Sequence, residues 1–480
     1  MNRTALELRR VSFAYDGNPV PVLDNADLAV NYGEVTLLSG YSGSGKSTVL
    51  SLFCGIIPNV AQGTLSGVVK VDGKDIAGLP MSVLSRKVGV VLQNAENQII
   101  QDKVEDEIAF GCENLAKSPE DTAAAIDNAC RALKLDKTWS TKTLSGGQKQ
   151  RLITAATLAM GQKIMILDEP LANLDKAGTR LLMGALRSLA KSGYAVLVVE
   201  HRLDMVLDYV DRVFAIDGGK INEISDTDSY LRAQAASISD DHEAGATSGD
   251  VVFALREVGC RLSRRDILKS VSFDIRRGER VLLLGENGCG KTTLMRLIAR
   301  LIRPSSGRID QYLGKGFGSG RAGRKWFGKV GVVYQNPNYQ LFMPTVRKEI
   351  ASGAKDPATA EKIAEKFELT DIMDRHPQSL SEGQKRRVSV AAVLATQPEV
   401  LILDEPTVGQ DYRNLKKLVS NINAWHRESG GTLICVTHDL RCAAALCDKA
   451  VLIKDGVAAE TGGKELAERY FGIDENPERE

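Results

Sequence analysis

The sequence predicts an α/β chain of two tandem domains, each with a mainly parallel core sheet, and three observations carry that expectation. A glycine-rich phosphate loop occurs twice, as Gly40-Tyr41-Ser42-Gly43-Ser44-Gly45-Lys46-Ser47 and as Gly285-Glu286-Asn287-Gly288-Cys289-Gly290-Lys291-Thr292. Two short apolar runs end in acid, Ile164-Met165-Ile166-Leu167-Asp168-Glu169-Pro170 and Val400-Leu401-Ile402-Leu403-Asp404-Glu405-Pro406. These landmarks recur at an offset that drifts only from 245 residues (Lys46 to Lys291) to 236 (Glu169 to Glu405), the mark of an internal duplication.

Each loop fits G-x-x-x-x-G-K-[ST], follows an apolar run that reads as a buried strand, and precedes a helix-like segment, Thr48 to Phe53 and Thr293 to Ile302. Glycines permit the tight turn that aims backbone N–H groups at the β- and γ-phosphates. The helix N-terminus adds partial positive charge, Lys46 or Lys291 neutralises a phosphate oxygen, and the Ser47 or Thr292 hydroxyl holds Mg²⁺. A Gly-rich turn that matches by accident is the competing reading, and two matches in the right context count against it. The expectation is a chain that binds nucleoside triphosphate twice.

At 480 residues the chain has room for two to four compact units. Lys plus Arg is 62 against 61 for Asp plus Glu, so no bulk attraction to nucleic acid or anionic lipid is expected. The first ten residues lack the apolar core of a signal peptide, and no apolar stretch approaches about 18 residues. Any membrane role is therefore expected to go through a partner. Eight cysteines form no C-x-x-C pair and match no zinc or cluster spacing, which reads as scattered reduced thiols. Cys289, inside the second loop near a helix N-terminus and a lysine, has surroundings that lower a thiol pKa, although a small residue that merely fits is the plainer reading.

The first domain is expected over residues 1–230, opening on an edge-type strand from Leu6 to Tyr15 and closing on a strand–turn–strand from Val213 to Ile221. The second is expected over 251–480, opening at Val251 and closing on the same turn from Ala450 to Val457. Residues 231–250 between them, ending in a small, polar and acidic run, read as a flexible linker, with His242 a solvated linker residue. Residues 474–480 read as a frayed tail, and the basic, Gly-rich stretch from Gly314 to Trp326 as a mobile hairpin tip.

A buried strand that delivers Asp168 or Asp404 beside the phosphate loop can fix Mg²⁺ through water. The next residue, Glu169 or Glu405, is then placed to polarise an attacking water as general base. Leu144-Ser145-Gly146-Gly147-Gln148 and Leu380-Ser381-Glu382-Gly383-Gln384 each precede a long helix-like run. With the phosphate loops and acidic strands, they resemble the signature of ATP-binding cassette (ABC) ATPases over almost the whole chain.

The resemblance implies two tandem P-loop NTPase domains, each with a mainly parallel core sheet, an antiparallel β subdomain and a helical signature subdomain. It implies ATP with Mg²⁺, and an intramolecular dimer in which the signature of one half closes over the nucleotide of the other. Site one would use Lys46, Ser47, Thr48, Gln93, Asp168, Glu169 and His201, with Ser381, Glu382, Gly383 and Gln384 from across. Site two would use Lys291, Thr292, Thr293, Gln335, Asp404, Glu405 and His438, with Ser145, Gly146, Gly147 and Gln148 from across. Metal would meet Ser47, Gln93 and Asp168 in one, Thr292, Gln335 and Asp404 in the other. The physics agrees: a Ser hydroxyl and Gly amides at a helix N-terminus form another anion cradle, so ATP can bridge the halves until its γ-phosphate is lost. His201 and His438 are two of only five histidines and follow matched apolar runs, at strand ends where an imidazole can touch the γ-phosphate.

Two departures separate the sites. Tyr15 stands where the family stacks an aromatic on adenine, and the aligned residue in the second half is Leu262, so stacking should be weaker there. Glu382 replaces the first Gly of the signature serving site one. At about 6 Å and an effective dielectric near 20 its charge would oppose a γ-phosphate by roughly 2–3 kcal/mol per unit charge, unless it turns to water. Two competent but unequal sites are expected.

Gln93-Asn-Ala-Glu-Asn-Gln98 and Gln335-Asn-Pro-Asn-Tyr-Gln340, followed by Val-x-x-Glu-Ile-Ala-x-Gly ending at Gly111 and Gly353, resemble the ATPases of energy-coupling factor (ECF) transporters, importers of vitamins and transition metals. That resemblance implies a transmembrane scaffold (T) component gripped by the loop from Gln93 to Glu107 and its counterpart. It also implies a small substrate-capturing (S) membrane component, a place on the cytoplasmic face of the membrane, and no nucleic acid partner. Exposed amides of no consequence are the alternative for Gln98 and Gln340. A soluble twin-cassette ATPase acting on ribosomes or nucleic acid, and a fused sugar-importer ATPase, are the alternatives for the whole.

Overall fold

The computed structural model of the chain describes residues 3–171, 174–236, 249–262, 264–313, 323–407 and 409–471. The chain divides into two compact units, Met1–Ala233 and Gln234–Glu480. The first contains β1 (Thr4–Tyr15), β2 (Leu23–Asn31), β3 (Val35–Gly40), β4 (Gly63–Val71), β5 (Lys74–Asp75), β6 (Val88–Val91), β7 (Ile164–Asp168), β8 (Ala195–Val199), β9 (Arg212–Asp217) and β10 (Lys220–Glu223). They form an antiparallel sheet ordered β2-β1-β4-β5 and a second sheet ordered β10-β9-β3-β8-β7-β6. In the second sheet only β10 runs antiparallel to its neighbour.

The second unit repeats the plan with β11 (Val251–Leu262), β12 (Arg265–Arg276), β13 (Arg280–Leu284), β14 (Ser306–Gln311), β15 (Val330–Val333), β16 (Val400–Asp404), β17 (Thr432–Val436), β18 (Lys449–Lys454) and β19 (Val457–Gly462). Here one bridge, Ser270 to Val457, joins the antiparallel and parallel parts into a single sheet. The first unit makes the equivalent approach with a backbone bond from the Asp24 amide to the Gly219 carbonyl, 2.9 Å.

The apolar runs are strands buried on both faces because the parallel sheet is covered twice. Successive side chains alternate between two cores. Along β7, Met165 and Leu167 pack with Ile108, Ile126 and Leu152 of a helical layer. Ile164 and Ile166 pack on the other side with Leu6, Phe13 and Phe53, against the antiparallel sheet and the helix Lys46–Phe53. The helical layer comprises Val104–Asn114, Pro119–Ala132 and Gly146–Met160 in the first unit, and Val346–Gly353, Pro357–Lys366 and Glu382–Ala395 in the second. Ser118 and Asp356, each followed by Pro, cap two of these helices by accepting the amide three residues on.

Several expectations need correcting. β1 is not an edge strand: it pairs with β2 on one side and β4 on the other, and bulges near Arg10 let its apolar residues keep to the covered face. The phosphate-loop helices begin at the lysines, and the second ends at Ile298, since Arg300 has φ +60° and cannot continue it. The helix Thr227–Ala236 extends into the stretch assigned to the linker, anchored where Tyr230 and Leu231 lean on the first unit's core. Trp326 is no loop tip. It is fully buried, and its indole N–H donates to the Ala299 carbonyl at 3.0 Å. Residues 314–322 of that stretch, His242, and the tail 474–480 lie outside the described residues.

One contrast between the halves follows from a single residue. Asp439, after His438, accepts the Arg441 amide at 2.9 Å and caps the helix Leu440–Leu446. Arg202 holds the same place after His201 and has no acceptor to offer, and the chain there makes only two 3₁₀ turns, Leu203–Met205 and Leu207–Tyr209.

Candidate functional site

In each unit β3 or β13 runs into the phosphate loop, which opens the following helix. The last loop glycines, Gly45 (φ +110°) and Gly290 (φ +108°), take left-handed backbone where a Cβ would come 3.0 Å from the Val22 carbonyl and 2.6 Å from Leu268. Neither helix has a side-chain cap, so its first amides point outward as donors. Lys46 and Lys291 are buried and fold back on their loops. Lys46 Nζ donates to the Gly40 and Tyr41 carbonyls at 2.8 Å each, and Lys291 Nζ to the Gly285 and Glu286 carbonyls at 2.6 and 3.0 Å. The Ser44 hydroxyl is buried with no partner in the described chain. Ser42, Gly43, Ser47, Asn287 and Gly288 face solvent. The loops are built for an anion: uncapped amides, an ammonium held by carbonyls it can exchange, and an unused hydroxyl.

β7 and β16 bring the acids to these loops. Asp168 has its pKa pushed up to about 6 by burial first and the neighbouring Glu169 charge second, with Lys46 opposing. Asp404 is also raised by burial, while the Thr292 hydroxyl, 3.3 Å from each of its oxygens, pulls the other way. A hydroxyl and a carboxylate per site form a sparse, all-oxygen donor set. That fits Mg²⁺, which keeps most of its shell for water and phosphate oxygens. Among the described residues no cluster of three His, Cys, Asp or Glu side chains could cage a metal by itself.

For Asp168 the pH dependence has a definite sign. Its folded pKa lies above the usual carboxylate value, so the nucleotide-free fold holds a proton that the unfolded chain lacks between about pH 4 and 6. The stability from that proton is fully present below about pH 4 and lost as pH rises through about 6. Urea unfolding of Asp168→Asn should therefore show a smaller decline of stability over that window than the parent chain.

Glu169 and Glu405 follow the strands with φ +45° and +48°, left-handed values for non-glycine residues. Their amides donate to the Val199 and Val436 carbonyls at 2.9 Å. The carboxylates differ. Gln93 Nε2 donates to Glu169 Oε2 at 2.6 Å, and His201 Nε2 lies 2.8 Å from Glu169 Oε1, so Gln93, Glu169 and His201 form one hydrogen-bonded row. Glu405 Oε2 instead accepts the His438 amide at 3.1 Å, while the His438 ring lies 3.5 Å from Glu405 Oε1 and 3.1 Å from Asn287 of the phosphate loop.

The remaining expected residues are less connected. Tyr15 ends β1 and Leu262 ends β11, as the alignment requires, and the Tyr15 hydroxyl lies 3.1 Å from that of Thr48. Thr293 is half-buried. Ser145 and Ser381 cap the signature helices in reciprocal boxes with Gln148 and Gln384. Gly146 is exposed and Gly147 buried, while the Gly383 carbonyl accepts Gln410 at 3.0 Å. Glu382 pairs with Lys385 at 3.1 Å, its side chain 40% exposed, which weakens the repulsion expected of it. At Cys289 the plainer of the two readings is the one favoured. Burial raises its thiol pKa and outweighs Lys291, so the loop does not activate it.

The loop motif has an internal job. Gln98 Oε1 accepts the Leu92 amide at 2.7 Å, and Gln340 Oε1 the Tyr334 amide at 2.8 Å. Buried Glu107, on the helix Val104–Asn114, accepts the Ile100 and Gln101 amides at 2.8 and 2.7 Å; Glu349 does the same for Phe342 and Met343 at 2.9 and 2.7 Å. Each loop is thus braced at both ends, leaving apolar Ile100 (66% exposed) and Phe342 (76%) outward. In the first unit Ile100, Phe110, Met160 and Arg86 line a groove of about 560 Å³. Glu107→Ala removes charge-assisted bonds to two backbone donors and is expected to destabilise the first unit by about 2–3 kcal/mol in urea unfolding, with Glu107→Gln affected less.

Two residues escaped the sequence reading. Glu200 ends the apolar run of β8 where the second half has Thr437, and its carboxyl pKa is raised by burial, with Arg202 opposing. Buried Arg386, pushed down to about 10 by burial, donates to the Tyr334 carbonyl at 2.6 Å and also to that of Gln335. Gln150 stands in its place in the first half, its amide nitrogen buried without a partner among the described residues. The visible signal for both was an unlike residue at otherwise matched positions.

Comparison with known proteins bears on the family and the fold. The ABC transporter family model matches residues 23–172 and 268–408. A "Putative ABC transporter ATP-binding protein" of Methanosarcina mazei is 32% identical, covering 94% of this chain and 88% of its own. A "Putative HMP/thiamine import ATP-binding protein" of Bacillus subtilis is 32% identical, covering 98% and 93%. Among solved structures, ribosome-bound archaeal Pelota and ABCE1 gives a TM-score of 0.72 at 19% identity, covering 96% of this chain and 80% of that one. An RNase-L inhibitor gives 0.68 at 20%, covering 96% and 92%. At such identities these likenesses speak to the fold alone.

Proposed function

Since the chain belongs to the ABC transporter family of ATP-binding proteins, we propose that it is the motor of an ECF-type membrane importer for a vitamin or a transition metal. Its two cassettes bind ATP with Mg²⁺ and hydrolyse it. The observation that carries the finer reading is the near full-length similarity to a relative whose name states HMP/thiamine import. No helix of the described residues is long and apolar enough to cross a membrane, so in this reading the chain sits on the cytoplasmic face beneath a T component and an S component. The groove beside Ile100 and Phe110, and the outward Phe342 in the second unit, suit apolar helix faces of the scaffold. The neighbours named for the ribosome share the fold at 19–20% identity and lend no matching support to the alternative.

In each site the loop amides and Lys46 or Lys291 hold the triphosphate. Ser47 and Asp168, or Thr292 and Asp404, would hold Mg²⁺, which would supply charge neutralisation at the phosphate oxygens. Glu169 or Glu405 accepts the proton of the attacking water, and His201 or His438 steadies the γ-phosphate. Ser145 to Gln148 and Ser381 to Gln384, each at the start of a helix, offer a further set of donors suited to a phosphate. The test is detergent extraction of tagged chain from its native membrane. Two membrane proteins should co-purify and the ATPase should respond to the vitamin or metal; ribosomal material in their place would overturn the importer reading.

A further inference from the structure

His201 and His438 hang from different supports. Glu200, 3% exposed, uses Oε2 to accept the His201 and Arg202 amides at 2.6 and 3.2 Å, and Oε1 to accept the Leu171 amide at 3.2 Å. Arg202 Nη1 donates back to the Leu171 carbonyl at 3.2 Å. Leu171 lies two residues beyond Glu169, so carboxylate and guanidinium together fasten the segment after Glu169 to the segment bearing His201. The His201–Glu169 contact of 2.8 Å closes between the two fastened segments.

Among the described residues the second unit replaces this fastening with different groups. Thr407 and Thr437 stand where Leu171 and Glu200 do, their hydroxyls 3.4 Å apart, and Thr437 Oγ1 accepts the Asp439 amide at 3.0 Å. Asp439, in the place of Arg202, turns away to cap its helix and pair with Arg441. His438 correspondingly sits 3.5 Å from Glu405 and shares its ring with Asn287. A buried carboxylate tolerates few arrangements, because every geometry that leaves its oxygens without donors is penalised, whereas a threonine hydroxyl can turn to a new partner at little cost.

We infer that Glu200, with Arg202, is a positioning pair peculiar to the first site, holding His201 and Glu169 in register and making the two sites kinetically distinct. The inference rests on the roles proposed for Glu169 and His201. It is tested in the full-length chain carrying Glu405→Gln, where turnover reports the first site. Glu200→Thr, the residue of the other half, should lower kcat for ATP about tenfold, as expected when a reacting group loses its register, with KM changed less than about twofold. Glu200→Gln keeps an acceptor for the His201 amide and should recover kcat to within about threefold of the parent. In a Glu169→Gln chain, Thr437→Ala should change second-site kcat less than about threefold, since no comparable fastening is lost. A Glu200→Thr kcat within about twofold of the parent, or a fall in kcat matched by a lower urea midpoint and not rescued by Gln, overturns the positioning role alone. A Glu405→Gln chain with no turnover overturns the assignment of the first site, and the positioning role with it.

Discussion

Glu169→Gln should slow ATP hydrolysis at the first site by about 10²–10⁴-fold while nucleotide still binds, and Glu405→Gln should do the same at the second. The amide has the carboxylate's shape but cannot take a proton from water. The losses in total turnover should be unequal, because the two bases are held differently. Both oxygens of Glu169 are engaged by Gln93 and His201 at 2.6 and 2.8 Å, whereas Glu405 meets the His438 amide at 3.1 Å and the ring only at 3.5 Å. Phosphate release from each single variant measures this directly. Equal losses would remove the case for unequal sites, and a variant that loses nucleotide along with turnover would show that the carboxylate acts in binding.

The second large effect concerns the loop lysines. Lys46→Ala and Lys291→Ala should each weaken ATP at their own site by about 10–150-fold, the loss of a charge-assisted bond worth roughly 1.5–3 kcal/mol. Each ammonium is desolvated already and rests on two carbonyls, so little reorganisation is needed before it meets a phosphate. Equilibrium binding with a fluorescent nucleotide, at two salt concentrations, reads both affinity and its electrostatic share. Affinities within about threefold of the parent would mean that the backbone amides alone hold the triphosphate.

Much of this arrangement was legible because it depends on local pattern. A glycine loop between an apolar strand and a helix, and a strand ending in Asp-Glu, fix which residues meet, since the parallel sheet sets β3 beside β8 and β8 beside β7. Gln98 and Glu107 were visible as a repeated motif, but their task as braces of the intervening loop was not, because it needs the loop folded back on the strand end. β1 looked like an edge because its alternation is the same whether one neighbour or two supply its hydrogen bonds. At Cys289 the sequence left two readings open for a different reason. A lysine two residues away is plain in the sequence, while the desolvation that outweighs it appears only once the loop is packed. Glu200 hid at the end of an apolar run; two of its amide partners, His201 and Arg202, follow it in sequence, but the third, Leu171, comes from a segment that only the sheet brings near.

The left-handed backbone at Glu169 and Glu405 has a consequence for anyone breeding this chain for heat tolerance. Such a conformation costs a side chain with a Cβ roughly 1–2 kcal/mol, and Gly or Asn relieves it. A screen that rewards survival at high temperature, blind to turnover, would thus be drawn toward Gly or Asn at these two positions, and its hardiest winners would be inert.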